Sequence, residues 1–185
     1  MPETDTLPRS LHDLGLAAWF GGSLMGAVGL NGAAAQVDEP KQRARVANAG
    51  WARWTPVNLA AIGAHVVGGA LILTANRGRI AGQRGVATWT AAKLGVTVAA
   101  LAATGYARAL GQKIEQFGDV PVRGGTEPLP ETPDEVKAAQ RQLKLLQWAI
   151  PLLTGAALVM NARMGEQQRP KEVTSGLLGR LLPGG

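Results

Sequence analysis

One histidine sits where an ionisable group is costly. His65 falls near the middle of VNLAAIGAHVVGGALILTA (57–75), a stretch with no other ionisable side chain. An ionisable residue at membrane depth is expensive and is by default a candidate for function. Its imidazole could ligate haem or a metal ion, or relay a proton. The plainer role is a neutral imidazole bonded to a hydroxyl or carbonyl of a neighbouring helix, with Ser23, Thr97 and Thr104 as possible partners. A second histidine, His12, opens the first apolar run, and Lys93 lies inside ATWTAAKLGVTVAALAATGYA (87–107). A simple antiparallel layout puts His12 near a span end and His65 near a span middle. The two are therefore expected at different depths, and haem ligation by both would need an offset helix. Lys93 lies close enough to the start of its span to reach the interface as an anchor, or else faces a polar pocket as a cation.

Little other chemistry is on offer. The chain has no cysteine, which excludes disulfides, thiolate metal sites, c-type haem attachment and a cysteine nucleophile. No phosphate-binding loop, dinucleotide fingerprint, zinc-protease helix or nucleophile elbow occurs in the context it requires. The acids Glu127, Glu131, Asp134 and Glu135 belong to a loop and a helix start, where they cap and solvate. No catalytic residue is assigned, and a non-enzymatic structural or accessory role is the leading expectation. A haem- or copper-associated protein, such as a redox enzyme, using His12, His65 and Lys93, is the alternative.

These side chains must be positioned by long apolar helices. From Leu14 to Ala35 the chain has no charge, and a membrane span needs about 20 apolar residues. Ser10 with Asp13 forms a capping-box-like start for this helix. Asp38-Glu39-Pro40 opens a second helix, and residues 40–54, with Lys41, Arg43, Arg45, Trp51 and Trp54, read as an interfacial helix. Thr55-Pro56 restarts the second span, which ends at a basic connection, 76–85. The third span is 87–107. Residues 111–132 are a proline- and glycine-rich loop. Thr132 as cap and Pro133 as first residue then start a long helix, charged at first and apolar from Leu145 to Ala162, with Pro151 expected to kink it. The predicted fold is an all-α integral membrane four-helix bundle over 1–164, followed by a polar basic tail, 165–185.

Composition agrees. The 185 residues carry a net charge of +6, and mean hydropathy is only +0.04, because apolar segments alternate with charged connections. The basic residues lie between the apolar segments, which suits anionic lipid headgroups rather than nucleic acid. The lead MPETDTLPRSLHD lacks the basic character of a cleaved signal peptide. The count of basic residues slightly favours the other side, but the short connection with Arg77, Arg79 and Arg84 has no acid and hugs both spans, where the positive-inside rule is strongest, so the expectation is a cell-membrane protein with both termini in the cytoplasm. Small residues recur at helical spacing: Gly15, Ala18, Gly22, Gly26 and Gly29 in span 1, and Ala60, Ala64 and Gly68 in span 2. Such faces let backbones approach closely, either within one bundle or in a homodimer or a complex with another membrane protein through span 1.

Leu11-His12 followed by Ala18-Trp19-Phe20-Gly21-Gly22 resembles a first-helix pattern of several small four-span bacterial membrane protein families, some of them uncharacterised. Among them are copper-resistance D-like, transmembrane-205-like and membrane protoporphyrinogen-oxidase-like proteins. Trp89 with Lys93-Leu94 is similar to a third-span pattern of the last group. The resemblance implies four helices and, in some members, haem or copper handling. In the protoporphyrinogen-oxidase-like proteins it implies a role for a first-span histidine and a third-span lysine, matched here by His12 and Lys93. The exit of span 1, GLNGAAA, departs from the charged, aromatic exit of that family.

Overall fold

The computed structural model describes residues 6–82 and 85–166. The polar lead 1–5, Arg84 and the basic tail from 167 onward lie outside these residues. Among them, four helices are long and apolar enough to cross a membrane. Helix α1 spans Thr6–Ala35 and contains a π-helical segment at Gly26–Leu30. Helix α2 is Pro40–Ala75, a short α3 is Arg77–Gly82, α4 is Val86–Glu115 and α5 is Asp134–Glu166. Between α4 and α5, strands β1 (Val122–Gly124) and β2 (Glu127–Pro128) form a small antiparallel hairpin.

Several helix boundaries differ from the sequence expectation. Helix α1 begins before Ser10, so Ser10 and Asp13 are interior residues and not a cap. Asp13 instead accepts a hydrogen bond from the Asn161 amide of α5, at 2.9 Å. Glu39 does cap α2 at Pro40, accepting from the Lys41 N–H. Helix α2 then runs through Thr55-Pro56 without a break, so residues 40–54 are its first turns and not a separate helix. Thr55 donates its hydroxyl to the Trp51 carbonyl inside that helix. Thr132 does not cap α5. Its hydroxyl donates to the Pro121 carbonyl and accepts from the Leu129 N–H, so it ties the hairpin loop together. Helix α5 continues through Pro151.

The helices pack in the order α2, α1, α5, α4. Packing is close between α1 and α2, between α4 and α5, and between α1 and α5, while α2 and α4 barely meet. One apolar cluster, Leu16, Trp19, Ala100, Ile150 and Ala157, fills the middle of the bundle. A second, Ala44, Leu110, Ile114, Val122, Val136 and Ala139, fills the end that carries the hairpin. Helix α2 has 36 residues and is therefore about 54 Å long, well beyond a hydrocarbon core of about 30 Å. Large apolar side chains such as Val57, Leu59, Val98, Leu152 and Val159 point outward. That pattern would be a liability in water and is suited to lipid.

The glycine face of α1 is filled from within the chain. A Cβ on Gly22 would overlap the Trp54 ring, one on Gly26 would overlap Trp51, and one on Gly15 would strike the α2 backbone at Ala61 and His65. The two tryptophans expected at the interface therefore pack on the glycines of α1.

Candidate functional site

The structure brings His12, His65 and Lys93 together. His12 lies six residues after the start of α1, His65 ten before the end of α2, and Lys93 seven after the start of α4. At 1.5 Å per residue, all three stand about 9–15 Å from helix ends on the same side of the bundle. The expectation of different depths is overturned. It rested on starting the first helix at Ser10 and restarting the second span at Thr55-Pro56, whereas α1 begins at Thr6 and α2 runs unbroken from Pro40.

The two histidines form a reciprocal clasp. His12 Nδ1 is 2.7 Å from the His65 carbonyl oxygen, and His65 Nδ1 is 3.0 Å from the His12 carbonyl oxygen. A carbonyl can only accept, so each Nδ1 carries the proton and each Nε2 is left with a lone pair. The rings stack with centroids 4.0 Å apart and planes 17° from parallel. Lys93 Nζ is 2.5 Å from His12 Nε2, so the ammonium donates to that imidazole and does not reach away to the helix end as an anchor. No hydrogen-bond partner of His65 Nε2 occurs among the described residues. The Trp19 ring stands edge-on to His65 and is fixed by its own bond from Nε1 to the Thr104 hydroxyl. Thr104 and Ser23 are therefore engaged with Trp19 and not with His65.

Glycines make the clasp possible. Beside His12 stands Gly15 and beside His65 stands Gly68, each three residues on. A Cβ on Gly15 would lie 2.6 Å from the His65 nitrogen, and one on Gly68 would lie 2.6 Å from the His12 nitrogen. The contacts are related by a local two-fold axis: H-x-x-G on α1 meets H-x-x-G on α2. This repeated spacing is legible in the sequence, as His12-Asp13-Leu14-Gly15 and His65-Val66-Val67-Gly68, and is the signal that could have paired the two histidines.

The clasp forms one wall of a cavity of about 350 Å³ between α2 and α4, lined also by Lys93, Thr90, Thr97, Leu101 and Met164. Pockets that hold small ligands combine apolar walls with a few placed polar groups. A metal-ligating histidine usually donates its second ring nitrogen to a carbonyl or carboxylate, which fixes the tautomer. His65 meets that condition. Of the groups considered, haem would fit this donor set best: His65 would hold the iron through one imidazole, and Lys93 would face an acidic substituent. Stacked rings cannot offer their Nε2 atoms to opposite faces of one haem, so ligation by both histidines does not fit. Copper fits less well: among the described residues, no three His, Cys, Asp or Glu side chains gather to hold a metal ion.

A second polar centre, which sequence reasoning left without a role, lies toward the hairpin end. Trp51 Nε1 donates to Asn31 Oδ1 at 3.1 Å, and Asn31 Nδ2 donates to Gln147 Oε1 at 3.0 Å. Asn31 follows the π-helical segment, and its N–H bonds the carbonyl five residues back, at Gly26. That added residue in the turn changes which way the helix faces and directs Asn31 inward.

Compared with known family models, with curated proteins and with solved structures, the chain finds no match in any of the three.

Proposed function

We propose that this chain is a multi-pass cell-membrane protein that holds haem in the cavity beside the histidine clasp and has no catalytic residue of its own. The observation that carries this reading is His65. It is 1% exposed, its Nδ1 proton is committed to a carbonyl, and its Nε2 is unpartnered beside a largely apolar cavity. His65 is the residue that would hold the iron, through Nε2. Lys93 neutralises an acidic group of the ligand, and His12 holds His65 in place and orients Lys93. Bound haem would supply one-electron redox chemistry or diatomic ligand binding. The protein residues bind it, orient it and keep water from it.

In the bilayer, the charged first turns of α2, with Trp51 and Trp54 beneath them, lie at the headgroup level on the side away from the termini. The termini lie in the cytoplasm, which a reporter fused to the C-terminus would check.

The test is absorption spectroscopy of the protein purified in non-ionic detergent and titrated with hemin. A saturable Soret band is expected, together with its loss in His65→Ala and its partial return when free imidazole is added. Lys93→Met should keep the band and weaken binding about tenfold, the size of one lost charged hydrogen bond. A wild-type protein that gives no band beyond that of hemin in empty micelles would refute the reading.

A second reading, that the pair is a structural clasp alone, is favoured by the reciprocal Nδ1–carbonyl bonds. It predicts no hemin spectrum and a loss of stability in either histidine variant.

A further inference from the structure

The gap between α2 and α4 holds a second and larger cavity of about 590 Å³, on the hairpin side of Leu101, which lines both cavities. Its walls are mostly apolar, but three of the polar residues that line it carry unmatched groups. Trp54 Nε1 and Asn58 Oδ1 are buried and have no hydrogen-bond partner, and both residues line this cavity. One turn of α2 separates them, so a donor and an acceptor lie side by side. The third group is Arg108 of α4, nearer the hairpin, whose guanidinium has no acidic or hydrogen-bond partner among the described residues.

A buried donor or acceptor left unpaired loses its hydration with nothing in return, so each of these groups favours a ligand that would pair it. The Trp54 ring is not free to turn away, because it is seated on Gly22 of α1, where a Cβ would overlap it. Leu59, one of the residues that line the cavity, is 64% exposed on the outer surface of the bundle. A ligand can therefore arrive laterally from the membrane.

We propose that this second cavity binds a single-chain anionic amphiphile. Its acid group pairs with Arg108, its polar neck lies between Trp54 and Asn58, and its chain runs along Leu59, Ile62 and Leu101. A phosphate head from a lipid and a carboxylate from a free fatty acid share the required chemistry. The site is separate from the histidine cavity and does not depend on haem.

The test is native mass spectrometry of the full chain released from non-ionic detergent after titration with dodecyl phosphate, dodecanoate or zwitterionic dodecylphosphocholine. One retained anionic molecule per chain is expected. Preference for dodecyl phosphate identifies a lipid-phosphate site, and preference for dodecanoate a fatty-acid site. Trp54→Phe keeps the ring on Gly22 and removes only the N–H, while Arg108→Gln removes the charge. Each should weaken retention about tenfold. The proposal is overturned if neither anion is retained above the zwitterionic compound, or if either variant binds as the wild type does.

Discussion

The closeness of α1 and α2 at the histidine clasp can be tested with one methyl group. In Gly68→Ala, the new Cβ would stand 2.5 Å from the Pro8 carbonyl oxygen and 2.6 Å from the His12 nitrogen. Both are backbone atoms and cannot swing aside. Restoring ordinary contact requires the helices to part by about 1 Å, since non-bonded carbon contacts settle near 3.5 Å. That displacement takes the two histidine–carbonyl bonds, now 2.7 and 3.0 Å, beyond hydrogen-bond range. Overpacking costs about 1–3 kcal/mol, and two lost bonds cost about 0.5–1.5 kcal/mol each. Helix propensity returns about 1 kcal/mol for glycine to alanine. The balance is a net destabilisation of about 1–5 kcal/mol, centred near 3. Gly63→Ala is the matched control: it lies on the same helix, is exposed, and has nothing within 4 Å of its added Cβ. It should gain up to about 1 kcal/mol from propensity alone. Both variants would be unfolded in mixed micelles of rising dodecyl sulfate content, followed by tryptophan fluorescence. If Gly68→Ala proves as stable as Gly63→Ala, the reasoning from close approach is wrong.

Two other perturbations have definite expected outcomes. Asn31→Leu leaves the Trp51 N–H without its partner and leaves Gln147 Oε1 with only the longer bond from the Thr126 hydroxyl, at 3.4 Å; a loss of about 1–3 kcal/mol is expected, and the same micelle titration measures it. The Glu127 carboxyl is held below its ordinary range first by the hydrogen bond and then by the charge of Lys144, at 2.9 Å. Because the folded value is depressed, the pair adds stability above the unfolded value of about 4.5. That stability is lost as pH falls through the lower folded value. Both side chains are about half exposed, so the effect is at most about 1 kcal/mol. Glu127→Gln should lower stability at pH 7 by up to about that amount and converge on the wild type in acid, which flattens the acid limb of a thermal-stability profile.

Much of the architecture is legible in the chain. Four uncharged or nearly uncharged runs, each bounded by basic connections, suffice to place four long helices, because a bilayer demands length and apolarity and little else. Glu39 before Pro40 marks the start of α2 correctly, since a proline at a helix start loses no intrahelical bond. Small residues at helical spacing correctly mark α1 as a packing face. The candidate residues His12, His65 and Lys93 are visible for a different reason: ionisable groups in apolar runs are rare and stand out.

What the sequence did not determine is where these elements lie relative to one another. Hydropathy shows where a helix becomes apolar, not where it begins. Thr6–Ser10 and Pro40–Trp54 are polar and yet helical, and that shift alone moved His12 and His65 to a common depth. Proline at position 56 disfavours a helix in isolation, yet here α2 continues across it, with Trp51 and Trp54 in the preceding turns seated on Gly26 and Gly22 of α1. The inward turn of Asn31 depends on a π-helical residue with no local signature. The gap between α2 and α4 exists because α1 and α5 take the close contacts. Between α1 and α2 the close approach is made at Gly15 and Gly68, which meet the facing backbone. The tertiary fold thus decided that His65, placed by its sequence in the middle of a span, meets His12 across Gly15 and Gly68.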